Sequence, residues 1–502
     1  MKDKLLNISR KHPLSIIILT ALVVRIIAMI FSKGYGFENE HFFYVETPNA
    51  WLDNIDNTGY DSPRGISLFY VSINYLIFGF FKLFGIHNPQ WLMFFSRIIH
   101  GLISLTIITL GYRITKIISD KKCAVNVAWL LALLWFTPYV NVHNIAQNVT
   151  VPFLLYGTLL IAKQEKLRNE LKHNNLHRSS FIIAGIFFGL AFSVWYQSIL
   201  FYAGILVALI LLKNWKGSLM SLLGFVIAIC VTQTIPDLVV WGRPFVELRE
   251  FLGKSSEYLF NSDAHAPWIY YSFLTVLVAL IPPLSFALMF GFFKACRKQF
   301  LLFFPTFIFL LFYTIFPNYE EIYILPVVPI FIIIGMTGWH DFRNKSSFWL
   351  KHNRLEKYML AFGCFVNAIL IVTTMFMYSN KPEVKAMTYL SKNEAVDFFV
   401  IDNETTNETK RPPLFYEKHW SNYIIVNQNN SNDTTLFNRD ADYVIFRETE
   451  NLDSRVEKMK VYYPNLKHEV TYKPYFAQIL YKWLNNSKDD GCVAIYKVDH
   501  EY

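Results

Sequence analysis

Acidic side chains are concentrated in the polar segment that follows the first long apolar run of this 502-residue chain. Residues 32–65 contain six carboxylates and two cations, Lys33 and Arg64, which gives a net charge of 2 − 6 = −4. Glu38 and Glu40 come within a few residues of the apolar run. A carboxylate that is fixed there and partly shielded from water can act as a general base towards a hydroxyl group. A solvated acidic loop is the alternative interpretation, because exposed acids are common on protein surfaces.

A second polar segment, residues 236–268, combines charges with aromatic rings. Asp237 emerges directly from an apolar run, and Arg243 and His265 follow it in the segment. A charge at the edge of a hydrocarbon layer needs a partner or has a function. Trp268 and its neighbours equally fit an aromatic belt at a membrane interface. Both interpretations stay open on the sequence.

Two further places carry charges between or within apolar runs. Glu320 and Glu321 lie in a short turn, where they are either a polar cap or part of a site. Pro326 and Pro329 in the apolar run that follows predict a kink near its start. Arg97 lies inside another apolar run, with no obvious partner nearby in the sequence.

The composition indicates what kind of molecule positions these residues. Apolar residues make up 53% of the chain and charged residues 17%, whereas an average soluble protein carries about 25% charged residues. Mean hydropathy is +0.29. These figures exclude a disordered chain, a coiled coil and an ordinary soluble enzyme, and they predict a polytopic α-helical membrane protein. The net charge of +9 does not indicate nucleic-acid binding, because the basic residues gather in short loops between apolar runs.

Loop charges predict how the chain crosses the membrane. Twelve apolar runs are candidates for crossing a bilayer core about 30 Å thick. If all twelve crossed, the basic loops could not all lie in the cytoplasm, contrary to the positive-inside rule. The conflict disappears if the run at 66–86 lies in the interface or re-enters. About eleven crossings then remain, with an uncleaved first span, the N-terminus in the cytoplasm and the tail outside.

The sequence therefore predicts two domains. Residues 1–378 form a transmembrane domain whose outer loop, residues 32–90, carries the acids. Residues 379–502 are rich in Asn, Asp, Lys and Glu, and helical patterns separate some of their β-type runs, so they predict a small extracytoplasmic α/β domain. Those runs lie at 398–401, 423–426, 443–446 and 493–498. Five scattered cysteines without a CxxC pair indicate neither a disulfide framework nor a zinc site.

Several of these elements occur in an order that matches a known family. They are Asn-Glu-His-Phe at 39–42 with Glu46, Arg97, Asn148, Gly-Ile-Phe-Phe-Gly-Leu-Ala at 185–191, Asp237–Gly242, Pro-Trp-Ile-Tyr-Tyr at 267–271 and the prolines of 326–329. Together they resemble the GT-C lipid-linked glycosyltransferases, most closely the Alg9-like mannosyltransferases that extend dolichol-linked oligosaccharides and glycosylphosphatidylinositol anchors. The chain departs from that family at Asn39, where the family has an Asp. It departs again at Asn318, Tyr319 and Ile322, where the family has His, Lys and Arg.

The resemblance implies a GT-C-like fold, with juxtamembrane helices in the first outer loop, and inverting transfer of a sugar, most closely mannose. The donor would be a polyprenyl or dolichyl phosphate, and the acceptor a hydroxyl of a lipid-linked glycan or another extracytoplasmic molecule. Either Glu40, which matches the motif, or Glu38 would be the base. No cofactor is predicted, although a carboxylate pair could bind Mg²⁺ or Mn²⁺. Candidate donor and substrate residues are His41, Glu46, Asp61, Arg64, Arg97, Asp237, Arg243, His265, Trp268, Glu320 and Tyr323.

Two other functions are compatible with the sequence. A transporter or flippase also has many spans and intramembrane charges, but it usually shows repeated halves and mid-span charges. A non-catalytic envelope assembly protein that handles lipid-linked glycans could carry the same loops. In every case the expected partners include membrane lipids and exclude nucleic acid. The Lys-, Ile- and Asn-rich usage suggests a bacterial inner membrane with a periplasmic tail; a eukaryotic host would place the tail in the ER lumen.

The topology is testable with cysteine labelling of a chain whose five natural cysteines are replaced by serine. In sealed spheroplasts we expect Lys166→Cys to react only with a membrane-permeant maleimide, because the basic loop 163–178 is predicted to be cytoplasmic. As a control, Lys385→Cys in the tail should react with the impermeant reagent as well. Labelling of Lys166→Cys by the impermeant reagent would contradict the predicted orientation.

Overall fold

The computed structural model describes residues 12–55, 62–171, 178–261, 271–315, 320–393, 396–403, 410–429, 437, 439–476 and 491–499. Within these residues most of the chain before residue 376 is helical. The helices are α1 (Pro13–Phe31), α2 (Glu38–His41), α3 (Thr47–Leu52), α4 (Leu68–Leu83), α5 (Pro89–Ile118), α6 (Lys121–Leu133), α7 (Thr137–Val140), α8 (Ala146–Leu171), α9 (Arg178–Val194), α10 (Ile199–Leu211), α11 (Trp215–Trp241), α12 (Val246–Asn261), α13 (Tyr271–Ala279), α14 (Leu284–Lys294), α15 (Phe300–Ile315), α16 (Val328–Lys345), α17 (Ser347–Lys351), α18 (Asn353–Met375), α19 (Lys381–Leu390) and α20 (Leu452–Lys460).

The strands lie mainly near the end of the chain. They are β1 (Lys33–Gly34), β2 (Tyr378–Ser379), β3 (Phe398–Asn403), β4 (Asn422–Asn427), β5 (Tyr443–Arg447), β6 (Leu466–Tyr472) and β7 (Val493–Val498). Four of them begin within one residue of the β-type runs that the sequence predicted. The strand β6 was not predicted from the sequence, because it lies at the edge of its sheet and its residues are partly or fully exposed and largely polar.

The chain divides into two compact units. The helical unit comprises Met1–Met29, Gly59–Ile73 and Ser96–Met375, and the mixed unit comprises Ile30–Thr58, Asn74–Phe95 and Phe376–Tyr502. The sequence predicts that residues 32–90 belong to the transmembrane domain. In the structure most of that segment belongs to the same unit as the C-terminal sheet.

Several helices are suited to a membrane. Among the described residues, four are long and apolar enough to cross one: Pro13–Phe31, Pro89–Ile118, Trp215–Trp241 and Arg354–Met375. The 16-residue α4 covers the run that the charge pattern predicts not to cross, and it belongs to a set of shorter apolar helices. The count of eleven crossings stays a prediction.

Glycines allow close contacts between helices of the helical unit. A Cβ on Gly185 of α9 would lie 1.9 Å from the Ser221 carbonyl oxygen of α11, and one on Gly224 would lie 2.0 Å from the Ile182 carbonyl oxygen. Backbones approach this closely in membrane helices only where small residues face each other. The Gly-x-x-x-Gly motif of α9 is therefore explained by packing against α11.

The mixed unit is built on a five-stranded sheet with the order β4-β3-β5-β7-β6. β3 pairs in parallel with β4 and β5, whereas β7 pairs antiparallel with β5 and β6. A separate parallel pair joins β1 in the first loop to β2, with Lys33 opposite Tyr378. The prediction of a small sheet domain in the C-terminal part of the chain is confirmed.

Each face of this sheet is covered by different elements, because side chains alternate along a strand. Phe398 and Val400 of β3 belong to a core with α20. Phe399 and Ile401, on the opposite face, belong to a core with α19 and with the first-loop side chain Val45. The first loop is thus part of the covering layer of the C-terminal sheet.

Enlarging a contact glycine tests the packing of α9 on α11. We expect Gly185→Ala to lower the unfolding free energy by about 1–3 kcal/mol, because its methyl group would overlap a backbone carbonyl. Gly253→Ala on α12 is the matched control, since a Cβ there meets no heavy atom within 4 Å; it should be neutral or slightly stabilising. Thermal unfolding in detergent measures both, and equal midpoints for the two variants would refute the packing.

Candidate active site

The acidic motif of the first loop forms the start of a short helical run. α2 ends at His41, a π-helical turn follows at Phe42–Glu46, and α3 begins at Thr47. π turns are rare and often occur at functional sites. Since the π turn holds more residues per turn than an α-helix, it brings residues five apart onto one side of the helix.

His41 and Glu46 are such a pair. Nε2 of His41 lies 3.7 Å from Oε2 of Glu46, and their side chains are 1% and 15% exposed. The same glutamate oxygen accepts a hydrogen bond of 3.3 Å from the Phe415 backbone N–H. The π turn thus fixes the two side chains against a segment of the C-terminal part of the mixed unit.

Aromatic rings enclose the His41 imidazole on both faces. The Tyr35 ring stacks on it at 4.3 Å and 14° between planes, and the Tyr416 ring at 5.5 Å and 5°. The Phe415 ring meets it edge-on at 6.2 Å. A ring held in this way cannot turn freely, so His41 is a fixed part of the site.

Burial keeps both members of the pair uncharged at neutral pH. It raises the pKa of the Glu46 carboxyl to about 8, although the Phe415 N–H and the Arg411 charge act in the opposite direction. It lowers the pKa of the His41 imidazole to about 3. Desolvation has the larger effect on both pKa values. A charged group loses more hydration free energy in an apolar environment than its interactions with these neighbours restore.

The two candidate bases have different surroundings. Glu38 makes an ion pair with Lys410, with Oε1 and Nζ 2.6 Å apart and the glutamate side chain 44% exposed. Glu40 is half-buried, and Asn39 between them is exposed. The position at which the related family has its Asp is thus open to solvent and carries a neutral amide here.

One acid, Glu247, organises part of the helical unit, and it was not among the residues predicted from the sequence. Glu247 is fully buried, and its carboxylate accepts backbone hydrogen bonds from Arg64, Gly65 and Ile66 at 3.0, 2.7 and 3.2 Å. The Trp241 indole N–H donates to its other oxygen at 3.0 Å. Burial raises the pKa of this carboxyl and these donors lower it. The signal available in the sequence was an acid in the first turn of a helix that follows a Trp-Gly-Arg-Pro turn.

Asp237 supports Glu247. It is fully buried, and its Oδ2 accepts the Glu247 backbone N–H at 3.1 Å. Arg64 contributes main-chain atoms to this arrangement, since its carbonyl oxygen also accepts from Lys254 Nζ at 3.1 Å. The described contact of Asp237 therefore orders the start of α12, where the Glu247 carboxylate holds the segment before α4.

Other predicted residues have varied positions. Arg97 is buried and donates from Nε to the Met29 carbonyl oxygen at 2.9 Å. Arg243 is exposed after α11, and Glu320 is exposed before a short helical turn. The Tyr323 ring lies 6.0 Å from the Trp195 ring. Three predicted residues, Asp61, His265 and Trp268, lie outside the described residues.

The predicted residues therefore fall into two sets. Glu38, Glu40, His41 and Glu46 belong to the mixed unit. Arg64, Arg97, Asp237, Arg243, Glu320 and Tyr323 belong to the helical unit. No group of three or more His, Cys, Asp or Glu that could hold a metal ion occurs in the part of the chain that the structure describes.

Comparison with known proteins adds family and fold. The model of the Alg9-like mannosyltransferase family matches residues 16–409. No curated protein sequence matches the chain. The crystal structure of ArnT from Cupriavidus metallidurans bound to undecaprenyl phosphate is similar with a TM-score of 0.63 at 10% identity, over 96% of this chain and 97% of that one. The Archaeoglobus fulgidus oligosaccharyltransferase, in complex with Zn and sulfate, gives 0.51 at 14% identity, over 92% and 72%. At these low identities, the similarity shows a shared fold and no more.

The raised pKa of Glu46 makes a pH-dependent prediction. The Glu46 carboxyl has a pKa of about 8 in the folded state and about 4.3 in the unfolded state. Its contribution to stability is therefore fully present below pH 4 and is lost as pH rises towards 8. We expect Glu46→Gln, which mimics the protonated form, to become more stable than the wild type as pH rises from 6 to 8. His41 is present in both proteins, so its own titration largely cancels from this comparison. Parallel curves of thermal midpoint against pH would contradict the assignment.

Proposed function

Because the chain belongs to the Alg9-like mannosyltransferase family and is a GT-C glycosyltransferase, we propose that it transfers mannose from a polyprenyl or dolichyl phosphate. The acceptor is a hydroxyl group of a lipid-linked glycan or another extracytoplasmic molecule. The observation that carries the proposal is the fixed turn of α2, which presents Glu38 and Glu40 beside the enclosed His41–Glu46 pair. The undecaprenyl phosphate bound to the similar ArnT structure supports the donor class.

The reaction needs one base and a stabilised leaving group. A glutamate accepts the proton of the acceptor hydroxyl while its oxygen attacks the anomeric carbon from the side opposite the phosphate. The bond between that carbon and the phosphate oxygen breaks, and the lipid phosphate departs with the electron pair. Attack from the opposite side inverts the anomeric configuration.

The site geometry distinguishes the acids. Glu46 is mostly buried against His41 and accepts a hydrogen bond from the Phe415 N–H, so we assign it a positioning role. We assign the role of the base to Glu40, with Glu38 as the second candidate, because Glu40 matches the family motif. His41 and Glu46 position the turn that carries both.

The membrane setting follows from the donor. Lipid-phosphate sugars are accessible outside the cytoplasm, so we propose that the first loop and the C-terminal sheet face the periplasm of a bacterial inner membrane and that the N-terminus is cytoplasmic. We further propose that cationic side chains stabilise the departing phosphate and that the reaction needs no divalent metal ion or other cofactor.

Replacing the candidate bases tests the activity. With polyprenyl-phosphate mannose radiolabelled in the sugar, we expect Glu40→Gln to reduce turnover by about 100-fold or more, the usual contribution of a general base. Glu38→Gln should have a smaller effect. Glu450→Gln, an exposed acid of the same unit, is the matched control and should retain the wild-type rate. Full turnover in both Glu38→Gln and Glu40→Gln would refute the proposed base.

A further inference from the structure

A pair of basic residues follows directly after the last residue that the family model matches. Lys410 and Arg411 begin a segment, residues 410–416, that we name the basic strap. Lys410 is partly exposed and Arg411 is exposed, whereas the next two residues are buried prolines. Because proline fixes its own backbone, the strap is stiff at the point where the two cations emerge.

The strap is attached to the mixed unit at both ends. The Arg447 guanidinium donates from Nη1 to the Lys410 carbonyl oxygen at 2.6 Å. That guanidinium is itself fixed by an ion pair with Glu383 at 2.8 Å, with side chains only 6% and 11% exposed. At the other end, the Phe415 N–H donates to Glu46. A buried, paired arginine is thus used to place the main chain of a surface lysine.

The strap positions its lysine against the first loop. Lys410 Nζ lies 2.6 Å from Glu38 Oε1, and the two side chains are 27% and 44% exposed. A ligand can therefore reach either group. An ion pair as exposed as this contributes only about 0.2–1 kcal/mol, so another anion can replace one partner at small cost.

We propose that Lys410 and Arg411 bind the phosphate group of the sugar donor, and that Lys410 exchanges its ion pair with Glu38 for one with that phosphate. This inference rests on the proposed function, which supplies a lipid-phosphate donor. It gives the C-terminal sheet domain a part in the reaction, since that domain presents both cations.

The charges of the reaction match this arrangement. The donor phosphodiester carries one negative charge. When the bond to the sugar breaks, the departing phosphate monoester takes the electron pair and gains a second one. Lys410, whose main chain is anchored by Arg447, and the neighbouring Arg411 stabilise this developing charge more than they stabilise the donor. Donor binding also releases the Glu38 carboxylate from Lys410 beside Glu40.

Binding of undecaprenyl phosphate to the full-length protein in detergent tests the inference. We expect Lys410→Gln to raise the Kd about tenfold to 100-fold, the contribution of one charge-assisted hydrogen bond. Lys410→Arg should keep most of the affinity. Glu38→Gln removes the competing carboxylate and should lower the Kd about two- to fivefold. Lys392→Gln, an exposed lysine of the same unit, is the matched control and should bind like the wild type.

The outcomes separate the two proposals. A wild-type protein that does not bind undecaprenyl phosphate would overturn the proposed donor class and the inference with it. A wild-type protein that binds it while Lys410→Gln binds equally well would overturn the inference alone. If Lys410→Gln does not fold, an unchanged Kd in Glu38→Gln decides against the exchange. Binding to phosphatidylglycerol vesicles is measured in parallel. If Lys410→Gln loses as much binding to these vesicles as to undecaprenyl phosphate, Lys410 and Arg411 would be reassigned to binding bilayer headgroups.

Discussion

The C-terminal sheet needs cover on both faces, and the first loop supplies part of one. Buried strand residues such as Phe399 and Ile401 share a core with Tyr35 and Val45 of that loop and with Phe78 of α4. Burying each large apolar side chain contributes about 1.5–3 kcal/mol. This burial ties residues more than 300 positions apart in the chain into one unit. The acids of the first loop have fixed positions because the loop is a layer of this core.

The π turn refines that arrangement. In a regular α-helix residues five apart project in clearly different directions, whereas the π turn brings His41 and Glu46 within 3.7 Å of each other. Stacked aromatic rings then remove the pair from water, which keeps both groups uncharged. The pair works as a support for its neighbours, and the candidate bases Glu38 and Glu40 lie in α2 directly before it. Polar support of a reactive group by buried neighbours is a general requirement for a preorganised site.

The helical unit follows different rules. Its backbones approach where glycines face carbonyl groups, as on α9 and α11, and its buried cations donate to carbonyl and hydroxyl oxygens. Arg25, fully buried in α1, donates to Ser104 Oγ at 2.8 Å. The buried Glu247 carboxylate likewise orders the backbone, by accepting hydrogen bonds from several main-chain N–H groups. Charges in this unit therefore order the backbone at several points, and their presence in an apolar environment does not by itself identify a site.

The sequence by itself determined the class of the protein, the helical and sheet regions and the acids of the first loop. Those conclusions depend on composition, on periodicity and on motifs that are local along the chain. The tertiary structure alone decided three features: the grouping of residues 30–58 with the sheet, the pairing of Glu38 with Lys410, and the hydrogen bonds from residues 64–66 to Glu247. Each of these contacts joins residues separated by about 180 positions or more. The periodic pattern of a sequence does not show which distant side chains pack together. The charge states of His41 and Glu46 also required the structure, because desolvation depends on every atom packed around a group.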